Sequence, residues 1–285
     1  MAQPLTAQCL PGPRSATVTM LVVARSEAEA VSARDTIGAL GPASPVQGIV
    51  VVADESRPAG RLRALVEGLA RGDVPLVLWR PTGLPPADDP SLNWVEHLIV
   101  DSRSITRLSA LVGITGRLPV TDLAWVDLAP WRELVAGLFD GPDFGPFLGD
   151  VRHVRVQGDE TARRLLAGWL LGRLRLPPTT VEVLAAEHAS VEVSAEHDGR
   201  RAHFSVTWSA ESALIDARAA IGGGPSHLRR RRGRRSSTGE LLDQALARLD
   251  RDPIYVEALT AALTLRPAPR STRIRDVRRG PATGR

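Results

Sequence analysis

Lysine is absent from this 285-residue chain, and cysteine and tyrosine occur once each. All 36 basic residues are therefore arginine, a bias that fits a GC-rich coding sequence better than a functional choice. A lone Cys9 in a Pro/Gly-rich stretch excludes an intrachain disulfide framework and a thiolate metal site. Long apolar runs are missing too. The longest, Met20–Ala24 and Ile49–Ala53, are far too short to span a bilayer. The first fifteen residues lack a basic region followed by an apolar one, so no secretory signal is visible and a cytoplasmic location is expected.

The motifs of common enzyme chemistry are also missing. The first strand–helix junction, Ala24-Arg25-Ser26-Glu27-Ala28, has no glycine and places an acid where a dinucleotide phosphate would sit. Gly222-Gly223-Gly224 is not followed by Lys-Ser/Thr, so it is a loop and not a phosphate cradle. Neither a G-x-S-x-G elbow nor an H-E-x-x-H helix occurs. The six histidines do not cluster: His97 is isolated, His153 lies in an alternating strand, His188 sits beside Glu187, and His197 and His203 flank a turn. Acidic pairs such as Asp88-Asp89, or Glu187 with Glu192, read as loop or solvent-face residues. No catalytic residue, metal or cofactor is expected.

What is present is an ordinary globular composition, 43% apolar and 24% charged, enough to bury a sizeable core. Charge is unevenly spread. Residues 1–220 hold 21 Arg against 26 acids, net −5, and residues 221–285 hold 15 Arg against 6 acids, net +9, together the chain's +4. The basic character belongs to the C-terminal part. The run Arg229–Arg232 with Arg234-Arg235 reads first as an exposed solvated loop, second as a contact for an acidic protein partner, and only third as a nucleic-acid contact. It has no interleaved aromatics to stack on bases, so a nucleic-acid role is disfavoured.

Apolar periodicity organises the chain. Strands are expected at Thr17–Ala24, Val46–Ala53, Pro75–Trp79 and His97–Asp101, with helices at Glu27–Leu40, Arg61–Ala70 and Arg103–Val112 between or after them. This alternation predicts an α/β domain with a mainly parallel sheet over residues 16–145. The Gly/Pro/Asp-rich Phe139–Asp150 marks a boundary. Beyond it, Val151–Val156, Thr180–Ala186, Ser190–Glu196, Arg201–Trp208 and Ala213–Ala219 read as strands, with Asp198-Gly199 a hairpin turn. A helix capped by Asp159 or Thr161 runs to about Arg175. Ser237 with Glu240 forms a capping box, and Asp252-Pro253 opens a last helix. Residues 146–265 are thus an α+β domain with an antiparallel meander. Residues 1–15 and 266–285 are expected to be a disordered leader and a disordered basic tail.

Four segments carry a family resemblance. Asp122-Leu123-Ala124-Trp125 with Pro130-Trp131-Arg132 is the most distinctive. Asp73–Pro81, Leu165–Leu170 and Leu249–Tyr255 with Glu257-Ala258-Leu259 follow the same order as in the family. Together they resemble a shortened member of the OpcA family, the glucose-6-phosphate dehydrogenase assembly proteins of actinobacteria and cyanobacteria. The resemblance implies a non-catalytic partner of glucose-6-phosphate dehydrogenase that promotes its assembly or allosteric activation in the oxidative pentose phosphate pathway. Six tryptophans against one tyrosine and four phenylalanines suit that role, because indoles near strand ends make good interface anchors. The expected partner-binding residues are Trp79, Pro81, Asp122, Trp125, Trp131 and Arg132. For Trp79, Trp94, Trp125 and Trp131 core packing is the first reading and an interface the second, whereas Trp169 and Trp208 read as core. Two other readings stand beside it. One is a sugar-phosphate sensor using Arg25, Arg57, Arg80 or Arg103 at the carboxyl ends of the strands. The other is a nucleic-acid binder acting through the basic tail.

Overall fold

Five strands, β1 (Val18–Val23), β2 (Val46–Val52), β3 (Leu76–Trp79), β4 (His97–Val100) and β5 (Val120–Asp122), form an all-parallel sheet in the order β2-β1-β3-β4-β5. The computed structural model describes residues 18–40, 44–52, 60, 62–64, 74–209, 211–233 and 236–265. The expected leader and tail, most of the helix over 61–70, Arg57 and Arg234-Arg235 lie outside the described residues.

Every residue of β1, β3 and β4 is buried, as required of a parallel sheet covered on both faces. One face packs Met20, Val22, Val77, Trp79 and Ile99 against Ala33 and Ile37 of α1 (Glu27–Gly38) and Leu241, Leu242 and Leu246 of α6 (Thr238–Leu246). The other packs Leu21, Leu78, Leu98 and Val100 with α2 (Leu108–Thr115) and with the core of the second sheet. The C-terminal helix α6 therefore covers the first sheet, although more than a hundred residues separate it from β5. The helix expected over 103–112 starts later. Asp101 accepts from the Arg103 N–H at 3.0 Å and fixes a single 3₁₀ turn, Ser102–Ser104, and α2 begins at Leu108.

After β5 come two short helices, α3 (Leu123–Asp127) and α4 (Ala129–Gly137), with Pro130 in the first turn of α4, where its missing N–H costs nothing. The second sheet contains β6 (Val151–Gly158), β7 (Val181–Ala185), β8 (Ser190–His197), β9 (Arg200–Ser209), β10 (Leu214–Ile221) and β11 (His227–Arg232), in the order β11-β10-β9-β8-β6-β7. Strands β8 to β11 form an antiparallel meander, whereas β7 pairs parallel to β6 after the crossover helix α5 (Glu160–Leu174). The two-domain α/β and α+β description holds. Asp198 and Gly199 adopt φ of 48° and 72° at the β8–β9 turn, the left-handed pair that such a hairpin requires.

The arginine run is not a loop. His227–Arg232 is an edge strand paired along its length with β10. Its side chains alternate between two settings. Arg229 and Arg231 reach Asp140 and Glu133, while Arg230 pairs with Asp216 at 3.2 Å on the open face of the sheet. Ladder hydrogen bonds and ion pairs supply what apolar alternation does not.

The last helix, α7 (Pro253–Ala262), crosses α5 at unusually close range. A Cβ on Gly168 would lie 2.2 Å from the Ala258 carbonyl oxygen and 2.9 Å from the Ala262 Cβ. Only glycine permits this backbone approach.

Candidate functional site

Two of the four segments singled out in the sequence, 122–132 and 249–259, meet in one cluster of hydrogen bonds and rings. Asp122 ends β5 and caps α3: its Oδ1 accepts from the Ala124 N–H at 3.0 Å and from the Ser102 N–H at 2.9 Å. Asp252 caps α7 in the same way, its Oδ1 accepting from the N–H groups of Ile254 and Tyr255 at 2.9 and 3.0 Å. The second oxygens are exchanged between the two helices. Tyr255 Oη donates to Asp122 Oδ2 at 3.1 Å, and Trp125 Nε1 donates to Asp252 Oδ2 at 2.9 Å. The two rings lie 5.7 Å apart, within the range of favourable aromatic pairs. Each aspartate thus caps its own helix and receives the aromatic donor of the other.

Neighbouring contacts close this clasp. Arg251 donates to the Thr115 carbonyl at 2.7 Å, satisfying the C-terminal end of α2. Arg132 stacks 3.6 Å over the Trp125 ring and donates to the Trp125 carbonyl at 2.6 Å, a cation–π contact. Arg103 binds Asp101 through Nε and Nη2 and reaches Asp127 at 3.2 Å; the hydrogen bond to Asp101 is the largest cause of its raised pKa.

The electrostatics are those of an interior. Asp122 is fully buried, and burial pushes its pKa up, opposed by the hydrogen bonds from Ser102 and Ala124. Burial, then the facing Asp122, pushes Tyr255 well above the usual phenol value, so it remains a neutral donor. Asp122 has donors on both oxygens and no exposed surface, so it is not placed to act as a base on a substrate.

This geometry corrects the expected partner-binding set. Trp79, Trp125 and Trp131 are only 1%, 4% and 9% exposed, and Asp122 is 0% exposed. They are not surface anchors. Trp79 is sealed because α6 returns to cover β3, and Trp125 because α7 closes over α3. Pro81 and Arg132 alone of the six are half-buried. Trp94 packs half-buried against the core, as does Trp208, and Trp169 is 3% exposed. A sequence signal for the clasp does exist: Asp122 with Trp125 and Asp252 with Tyr255 are both Asp-x-x-aromatic, a helix cap with a ring three residues on.

Of the arginines of the sugar-phosphate reading, Arg57 lies outside the described residues. Arg103 is committed to Asp101 and Asp127. Arg80 is 5% exposed at a cleft of about 280 Å³ beyond β1 and β3, but Asp88 and Asp89 line the same cleft and would oppose a phosphate. His197 has both ring nitrogens beside carboxylates, Asp150 at 2.7 Å and Asp198 at 3.4 Å, so neither is left to serve as a base. Among the described residues no group of three His, Cys, Asp or Glu is placed to hold a metal, and no helix is long and apolar enough to cross a membrane.

Comparison with known proteins matches the same region. The family model for the C-terminal domain of the OpcA-type glucose-6-phosphate dehydrogenase subunit matches residues 118–259, which run from just before β5 into α7 and contain the whole reciprocal clasp. The chain belongs to the OpcA family. The putative OxPP cycle protein OpcA of Nostoc punctiforme is 27% identical over 161 residues, half of this chain and 31% of that protein. The OpcA of Synechocystis, carrying the same description, is 31% identical over 99 residues, 31% of this chain and 20% of the relative. The matches thus span under a third of either OpcA relative's length. Asp122, Trp125, Asp252 and Tyr255, all inside the matched range, hold helices together.

Proposed function

We propose that this protein is a non-catalytic accessory subunit that binds glucose-6-phosphate dehydrogenase and favours its active assembly in the oxidative pentose phosphate pathway. The observation that carries the reading is the match of residues 118–259 to a domain described as belonging to a glucose-6-phosphate dehydrogenase subunit, together with relatives described as oxidative pentose phosphate cycle proteins. The clasp is consistent with a rigid scaffold, since its carboxylates are spent on capping and cross-linking.

The mechanism is a shift of population. A partner that binds the active assembly more tightly than the inactive one moves the equilibrium by its differential affinity, typically about 1–3 kcal/mol. With the indoles buried, contact falls to the two half-buried residues of the expected set. Arg132, half-buried over Trp125, and Pro81, half-buried beyond β3, keep their place in the proposed interface. A cytoplasmic site of action accompanies this partner.

The test is to mix the full chain with the dehydrogenase of the same organism and record complex mass and turnover together. A complex heavier than the dehydrogenase alone, with raised turnover, supports the reading. Unchanged mass with unchanged kinetics removes it.

A further inference from the structure

The second sheet ends in a strand whose outer edge carries four consecutive arginines. All six residues of β11 are exposed, and among the described residues β11 pairs with β10 alone. Six residues at about 3.3 Å each give roughly 20 Å of backbone with unpaired donors and acceptors along one side. Leu228, 42% exposed, adds an apolar contact on the open face beside Arg230 and Arg232.

The charges decide which strand fits there. An antiparallel second copy of β11 would set arginine against arginine, and like charges directly opposite one another destabilise a pair. The edge therefore rejects its own copy and favours a strand bearing carboxylates. Its guanidinium groups are already oriented: Arg229 toward Asp140 at 4.0 Å, Arg231 toward Glu133, and Arg230 toward Asp216 at 3.2 Å. Each guanidinium has five N–H donors, so these contacts leave donors for an incoming carboxylate, whose fork geometry arginine matches. Arg232 makes no ion pair among the described residues. Together with Arg218, the four arginines outnumber Glu133, Asp140 and Asp216 by two.

We propose that β11 is a docking edge that receives an extended acidic segment of a partner protein as a seventh strand of the second sheet. Backbone hydrogen bonds supply the seat and arginine–carboxylate pairs select the occupant. The one ring of β11, the His227 imidazole, packs edge-on against Phe144 at 5.1 Å. The strand offers no Phe, Tyr or Trp on which a base could stack, which favours a polypeptide over nucleic acid. The proposal stands whatever the identity of the partner and goes beyond the dehydrogenase reading.

The experiment uses the full chain and a fluorescent eight-residue peptide of alternating Glu and Val, followed by anisotropy. Two N-methylated versions, blocked at alternate amides in the two possible phases, remove the ladder hydrogen bonds while keeping the charge. The expected result is saturable binding, weakened at least tenfold by one N-methylated phase. Binding should also weaken at least tenfold in the Arg230→Gln/Arg232→Glu variant, whose thermal midpoint stays close to that of the unmodified protein. Three outcomes overturn the proposal: equal binding of both N-methylated peptides, which shows charge attraction without strand addition; equal competition by an oligothymidylate of the same charge; or no saturable binding up to millimolar peptide.

Discussion

Tyr255 Oη and Asp122 Oδ2 meet at 3.1 Å across 133 residues of sequence, and the bond is one half of a pair. Its counterpart is Trp125 to Asp252. Two helix caps separated by most of the C-terminal half therefore share their free carboxylate oxygens. The segments through which the chain resembles its family act on one another before they act on anything else.

Replacing Asp122 by Asn keeps an acceptor for the Ser102 and Ala124 N–H groups and offers Tyr255 an amide. Asp122→Asn should lie within about 1 kcal/mol of the unmodified protein at pH 7, whereas Asp122→Ala, which strands two buried N–H groups and a hydroxyl, should cost about 2–4 kcal/mol. Because the folded pKa of Asp122 lies above its unfolded value, the folded state binds more protons between the two values. Stability from this group therefore falls as pH rises through that interval. Urea unfolding from pH 3.5 upward should show that fall in the unmodified protein and a flatter profile in Asp122→Asn.

His97 carries the opposite sign. It is 1% exposed, its Nε2 is 2.8 Å from Thr121 Oγ1, and burial lowers its pKa from 6.5 to about 4. Between those values the unfolded chain binds the extra proton, so stability is present above about pH 6.5 and is lost as pH falls toward 4. The loss should approach about 3 kcal/mol at pH 4. His97→Gln should remove that dependence, whatever its cost at pH 7; an unchanged acid slope would show that His97 is not the group responsible.

Gly168 sets the distance between α5 and α7. A methyl group there meets the Ala258 carbonyl and the Ala262 backbone, and neither is the flexible end of a side chain. Gly168→Ala should therefore destabilise by about 1–3 kcal/mol, although alanine is the better helix former by nearly 1 kcal/mol. A neutral or stabilising result in thermal unfolding would show that the two helices separate freely.

The parts of this fold legible in the sequence are those fixed locally. Apolar strands alternating with amphipathic helices indicate the parallel sheet, Ser237 with Glu240 marks the start of α6, and Asp198-Gly199 marks the β8–β9 turn. What was not legible depends on distant partners. Strand β11 has no apolar alternation and exists because β10 and three acids hold it. Trp79 stands at a strand end that reads as exposed until α6 covers it from the far end of the chain. Asp252 reads as a helix cap and Asp122 as an interface residue; the Asp-x-x-aromatic pattern they share marks a cap with a ring but not that each aspartate receives the other helix's ring.

The most direct measurement is a double-mutant cycle on Tyr255→Phe and Trp125→Phe, with unfolding free energies taken from urea denaturation. Each single change should cost about 1–3 kcal/mol, since it removes a hydrogen bond to a carboxylate. If the two bonds form one reciprocal clasp, the costs should be coupled by at least about 0.5 kcal/mol. Strict additivity, or single changes within about 0.3 kcal/mol of the unmodified protein, would contradict it.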